Sequence, residues 1–215
     1  MIITIGHTKG GVGKSTLGVN IGVARKLAGR DVWVVDADRQ RTAQKALTLR
    51  NCDESLPPIP CDWYADAATL MSQVRMQASR YDDVIIECGG GDTAALRTAM
   101  ALCDVMIVPF PPRSVDVWAF DELVPLINDV RAVGKDLKVY AVLNQADPGV
   151  NAADNIAAIK QVQEDYPEVE LLTQRLVRRK AFSNAAGSGL SVYEVEPHDA
   201  KAVAELNALI SAVFR

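Results

Sequence analysis

Short apolar runs rich in β-branched residues recur along the chain at Ile2 to Ile5, Val32 to Val35, Val84 to Ile86, Val105 to Val108 and Val139 to Leu143. They are continuous rather than alternating, which suits strands of a parallel sheet buried on both faces. The segments between them carry helical spacing. Leu17, Ile21, Ala24 and Ala28 line one face of the first, Gly18 and Gly22 allow close approach to the sheet, and Gly29 marks its end. Further helices are predicted over Thr42 to Leu49, Asp66 to Ser79, Thr93 to Leu102, Asp116 to Val133, Ala152 to Tyr166 and Lys201 to Phe214, with Pro125 imposing a kink or a later start on the Asp116 helix. Strands alternating with helices predict an α/β fold with a doubly wound, mostly parallel sheet flanked by helices. Asn51 to Pro60, with three prolines, is the clearest loop; it is too short and too early to divide the chain, so residues 1–215 are read as one domain.

Composition narrows the class. At 49% hydrophobic and 23% charged the chain has the makings of a well-packed core, and neither disorder nor a fibrous repeat is indicated. No apolar run reaches the ~18 residues of a membrane span, and the N-terminus enters the first strand without a basic segment, apolar stretch and cleavage site, so a cytoplasmic location is expected. Cys52, Cys61, Cys88 and Cys103 form no CxxC pair; they are expected to be reduced and mostly buried. A net charge of −4 argues against coating nucleic acid with the whole surface, while leaving room for a local basic patch. Trp33, Trp63 and Trp118 are expected as core or interface anchors, and His198, after Pro197, as a helix-start residue.

The sharpest chemical signal is Lys9-Gly10-Gly11-Val12-Gly13-Lys14-Ser15-Thr16, placed between the first strand and the first helix. A glycine-rich turn opening a helix aims backbone N–H groups at phosphate oxygens; Lys14 would neutralise the β- and γ-phosphates and the Ser15 hydroxyl would ligate Mg²⁺. The ordinary GxxxxGK[ST] pattern fails at Thr8. The string KGGVGKST instead resembles the deviant Walker A motif of the ParA/MinD ATPases, a branch of the P-loop NTPases. That resemblance implies ATP and Mg²⁺ as cofactors and a catalytic Lys9 reaching across a homodimer to the partner's nucleotide. A second cation would stabilise the triphosphate most where a partner excludes water.

Two acidic segments follow strands. Asp36-Ala37-Asp38-Arg39-Gln40 resembles the family's DxDxQ segment, which implies Asp38 for positioning the attacking water and Asp36 for support near Mg²⁺. Asp82-Asp83-Val84-Ile85-Ile86-Glu87-Cys88-Gly89-Gly90-Gly91 resembles a Walker B strand, but ends in Glu87 where the family usually has aspartate, pushing the carboxylate roughly a bond length further. Glu87 is expected as a water-mediated metal contact, and Asp92 as an N-cap.

Asn144, in Asn144-Gln145-Ala146-Asp147, fits either an adenine-reading position of this family or part of a guanine reader; ATP is favoured on the motif. Arg178-Arg179-Lys180 is a compact basic cluster that could hold DNA phosphates or remain a solvated charged segment. With VPFPPRSVDVW and the C-terminal block, the resemblance spans most of the chain and is nearest to short plasmid-partition ParA proteins. It implies a weak ATPase whose ATP-bound dimer binds DNA nonspecifically on the nucleoid and is released by a ParB-type partner. The alternatives are a MinD-like membrane switch, disfavoured because the tail from Lys201 to Arg215 carries few cations, and a metabolic ligase on the same fold.

Overall fold

A computed structural model describes residues 1–149 and 151–214; Val150, and Arg215 at the end of the predicted tail, lie outside the described residues. Among the described residues seven strands form one parallel sheet in the order β3-β2-β4-β1-β5-β6-β7. They are β1 (Ile2–Ile5), β2 (Val32–Ala37), β3 (Cys61–Trp63), β4 (Asp83–Cys88), β5 (Val105–Phe110), β6 (Lys138–Ala146) and β7 (Glu170–Val177). Every residue of β2, β4 and β5 is buried, the result of helices covering both faces of a parallel sheet.

One face carries α1 (Lys14–Leu27), α2 (Thr42–Arg50), α8 (Lys180–Gly187) and α9 (Ala200–Val213); their apolar sides join Ile3, Ile5, Val34 and Ile85 in one core cluster. The other carries α3 (Ala67–Gln77), α4 (Ala94–Leu102), α5 (Ser114–Val117), α6 (Phe120–Ala132) and α7 (Ala153–Asp165), packed over Trp33, Val84, Ile86 and Met106. Gly18 lies beside Glu87 and Gly22 beside Val34, so α1 rests directly on β4 and β2.

All five strands predicted from apolar runs are present. Two others were not anticipated. β3 follows the proline-rich loop as only three half-buried residues, and β7 is a sheet edge with an exposed start and mixed polarity. The predicted Asp116 helix is two, broken at Trp118 and Ala119, while Pro125 sits inside α6. The helix-start expectations also shift by one residue. Thr93, not Asp92, caps α4 by accepting from Leu96 N, and Asp92 instead pairs with Arg97 at 2.7 Å. Asp199, not His198, caps α9. α9 packs on the sheet as the tail reading required. Of the cysteines only Cys88 and Cys103 are buried; Cys61 is partly covered and Cys52 exposed.

Candidate nucleotide site

The C-terminal ends of β1, β2, β4 and β6 converge at one edge of the sheet, the place where open α/β sheets keep their ligand crevice. β1 ends two residues before the Thr8 to Thr16 turn, and α1 begins at Lys14 with no side-chain cap, so its first N–H groups are left to a ligand. Gly13 sits at φ 92°, and a Cβ there would lie 2.4 Å from Asn144 Nδ2. No other residue type meets both constraints. The resulting cleft, about 610 Å³, is lined by Gly10, Gly11, Lys14, Ser15, Asp38 and Glu87 among others.

Asn144 and Gln145, at the end of β6, hold this turn from behind. Asn144 Nδ2 donates to Val12 O at 2.7 Å, and Gln145 Nε2 donates to Gly11 O at 3.1 Å. Asn144 thus fixes the loop, beyond the base-reading role expected for it. Gln145, at φ 53°, carried no expectation from the sequence.

The two aspartates of the DxDxQ turn divide their work. Asp36 is fully buried and accepts from Asp38 N and Gln44 N, both at 2.9 Å; it does not line the cleft. Burial raises its pKa, against those backbone hydrogen bonds. Its place is the support of the turn and of α2 rather than direct metal contact. Asp38 lines the cleft, and a Cβ on Gly89 would fall 2.9 Å from its Oδ1, so the glycine run after β4 makes room for this carboxylate.

Lys14 is 6% exposed; burial lowers its pKa, offset in part by Glu87 and Asp38, and its Nζ donates to Lys9 O at 2.7 Å. Glu87 is fully buried, and neither carboxylate oxygen has a hydrogen-bond partner. Burial, then the neighbouring Asp36, pushes its pKa up to about 8. Such an orphaned pair of acceptors is costly unless a cation completes it.

The family described as the CobQ/CobB/MinD/ParA nucleotide binding domain matches residues 3–192. The chain belongs to this family. It is an ATPase of the ParA/MinD type. Among curated relatives, the maintenance of carboxysome distribution protein A of Halothiobacillus neapolitanus is 27% identical, covering 99% of this chain and 95% of its own. The sporulation initiation inhibitor protein Soj of Bacillus subtilis is 26% identical, covering 91% of each. Of solved structures, apo McdA of Cyanothece superposes with a TM-score of 0.81 at 14% identity over 98% of both chains. The Mg-ADP complex of MinD from Pyrococcus horikoshii does so at 0.73 and 19%, over 99% and 95%. These two likenesses bear on the fold.

The family binds nucleotide, and the cleft fits ATP together with Mg²⁺. Backbone N–H groups at the start of α1 and the Lys14 ammonium suit phosphate; Ser15 and the unpartnered Glu87 suit a hydrated magnesium ion. Among the described residues no group of three or more His, Cys, Asp or Glu could hold a metal unaided. A Mg²⁺ here would therefore keep several waters and lean on the phosphates, as this ion commonly does.

Arg178, Arg179 and Lys180 line a second cavity, about 500 Å³, that opens beside the first, shares Gly13, Thr16 and Gln145 with it and is also lined by Asn144. Arg179 is bound to Glu205 at 2.6 Å, with Asp199 at 4.0 Å, leaving Arg178 and Lys180 as the exposed cations of the three. His7, buried behind the loop, accepts from Lys9 N through Nδ1 and packs edge-on against Phe120. Burial, then Lys14 and Lys9, lower its pKa to about 3, so it is neutral under ordinary conditions and supports the loop.

Proposed function

We propose that residues 1–215 act as one domain that Mg-ATP converts into a homodimer with affinity for DNA, and that hydrolysis returns it to the released form. The observation that carries this is the place of Lys9. Its side chain is absent from the lining of its own phosphate cleft. It borders instead a shallow hollow shared with Thr8, Val115, Trp118, Ala119 and Glu122, in which Val115 is 57% and Trp118 55% exposed. A lysine on an apolar rim beside the triphosphate is suited to serve a second chain. The water excluded by that chain would strengthen its attraction to the phosphates.

In this reading the α1 N-terminus and Lys14 grip the phosphates, Ser15 and Glu87 keep the magnesium ion in place with Asp36 behind them, and Asp38 orients the attacking water. Bound magnesium supplies neutralisation of the charge on the transferring phosphoryl group. Asn144 and the neighbouring cavity receive the adenine. Arg178 and Lys180 meet DNA phosphates without base preference, with Arg179 holding the segment on Glu205. The dimer is nucleoid-associated when ATP-bound and otherwise cytoplasmic, and a ParB-type partner speeds hydrolysis.

A second cargo is favoured by one observation: the near end-to-end match to the carboxysome distribution protein, which makes a protein compartment an alternative to a plasmid or chromosome. Membrane attachment has less support, since no helix among the described residues is long and apolar enough to cross a membrane and α9 is packed on the sheet.

Light scattering with ATP, ADP or no nucleotide, with and without DNA, tests the reading. A dimer with ATP alone and DNA loading of that dimer are expected, with affinity falling against salt at a slope near −0.9 per neutralised phosphate. Equal DNA affinity with and without ATP refutes it.

A further inference from the structure

We propose that Trp63 is a positioning residue for ATP hydrolysis: its indole N–H fixes the backbone of Asp38, and so the direction in which that carboxylate faces the phosphate cleft. The inference rests on the role given to Asp38 above.

Trp63 closes β3, the three-residue strand that the sequence did not announce. Its register is set by pairing with Asp36, and Tyr64 N continues the pairing to Asp36 O at 2.9 Å. The preceding residue is anchored too, since Trp33 Nε1 donates to Asp62 Oδ2 at 2.8 Å from within the core. Trp63 is therefore held on both sides before its own side chain is considered.

From that fixed position Trp63 Nε1 donates to Asp38 O at 2.7 Å. The same carbonyl accepts Arg41 N at 3.2 Å. Arg41 then folds back, with its guanidinium carbon 3.5 Å from the centre of the Trp63 ring. It does so from φ 57°, a left-handed conformation uncommon for a residue other than glycine. Such backbone is kept where surrounding contacts over-determine it, and the Trp63 stack is one such contact.

These contacts leave the Asp38 side chain little freedom. It accepts Gln40 N at 3.0 Å and faces Gly89 across a gap too small for a Cβ. Asp38 N donates to the buried Asp36. Backbone amide and carbonyl of Asp38 are thus both tied, one to Asp36 and one to Trp63, and the carboxylate is aimed by the turn between them. A ring needed only for packing would not have to donate. Trp63 is only partly buried, so its apolar contribution is smaller than that of fully covered Trp33.

Trp63→Phe keeps a ring for the sheet and for Arg41 while removing the donor. Single-turnover hydrolysis of ATP, with protein in excess, gives the rate; calorimetry with Mg-ATPγS gives affinity, and thermal melting reports the fold. The expected result is a rate lower by roughly three- to tenfold, as for the loss of one hydrogen bond, with affinity unchanged within about twofold and melting close to wild type. In an Asp38→Asn background the same substitution should cause no further loss, because two residues acting through one carboxylate are not additive.

A wild-type rate in Trp63→Phe, with Asp38→Asn slow, overturns the proposal and leaves the role of Asp38 intact. A rate loss matched by lost affinity or lowered melting overturns it in favour of plain packing. A further full loss in the Asp38→Asn background also overturns it. If Asp38→Asn hydrolyses ATP as fast as wild type, the reading of Asp38 fails, and this inference with it.

Discussion

Arg50 ends α2, the helix that follows the DxDxQ turn, and Glu194 lies in the segment between α8 and α9; their side chains are 0% and 4% exposed. Glu194 accepts from Arg50 Nη2 at 2.7 Å and Nε at 3.0 Å, and from Ser191 N at 3.1 Å. The guanidinium also donates to Pro57 O at 2.8 Å. Glu194→Ala removes the only carboxylate among the described residues bound to this buried cation and strands two of its donors. Breaking such a pair from one side costs about 3–5 kcal/mol, since an uncompensated charge remains inside. For a domain of this size each kcal/mol moves the melting temperature by roughly 2–4 °C, so a fall of about 6–20 °C follows. Urea unfolding of the nucleotide-free protein at pH 7.5 should show the same loss, and Arg50→Met combined with Glu194→Leu should recover most of it, because an apolar pair leaves no charge behind. A loss below about 1 kcal/mol for Glu194→Ala, the range of exposed ion pairs, would refute the argument.

The remaining predictions concern the site. Lys9→Ala should leave nucleotide affinity of the monomer nearly intact and weaken ATP-dependent dimerisation by tenfold or more, whereas Lys14→Ala should abolish nucleotide binding; a dimer indifferent to Lys9→Ala, by sedimentation, would exclude a cross-chain role. Glu87→Asp, shorter by one methylene, should turn over several-fold faster at saturating Mg²⁺ if the longer side chain limits the rate, and an unchanged rate would place the carboxylate off the metal path. His7 has a folded pKa of about 3 against an ordinary 6.5, so the unfolded chain binds the extra proton between these values. Its stabilising contribution is complete above pH 6.5 and is lost as pH falls toward 3. Relative to wild type, His7→Asn should flatten the decline in unfolding free energy below pH 6.5, by at most about 1.4 kcal/mol per pH unit, and parallel declines in urea titrations would contradict the assignment.

The central sheet and the phosphate loop were legible along the chain, for a local reason. A strand buried on both faces is apolar along its middle, which makes β1, β2, β4, β5 and β6 visible as runs, and a phosphate-wrapping turn must be glycine-rich and open a helix. The order of those strands, and which residues of the loop are held and by what, depended on pieces far apart in the chain. β3 was hidden because three half-buried residues carry no periodicity, and with it went Trp63 and its bond to Asp38. Asn144 read as a base-side residue and Gln145 carried no reading at all, yet they clamp Val12 and Gly11 from more than a hundred positions away. The basic triplet read as three equivalent cations, either a seat for DNA phosphates or a solvated segment. Only the packing of α9 against β7 brought Glu205 to Arg179 and set the other two cations beside the loop. Chain chemistry fixes what a residue can do; tertiary packing decides which partner it meets, because hydrogen bonds and ion pairs depend on ångström distances that no spacing rule encodes.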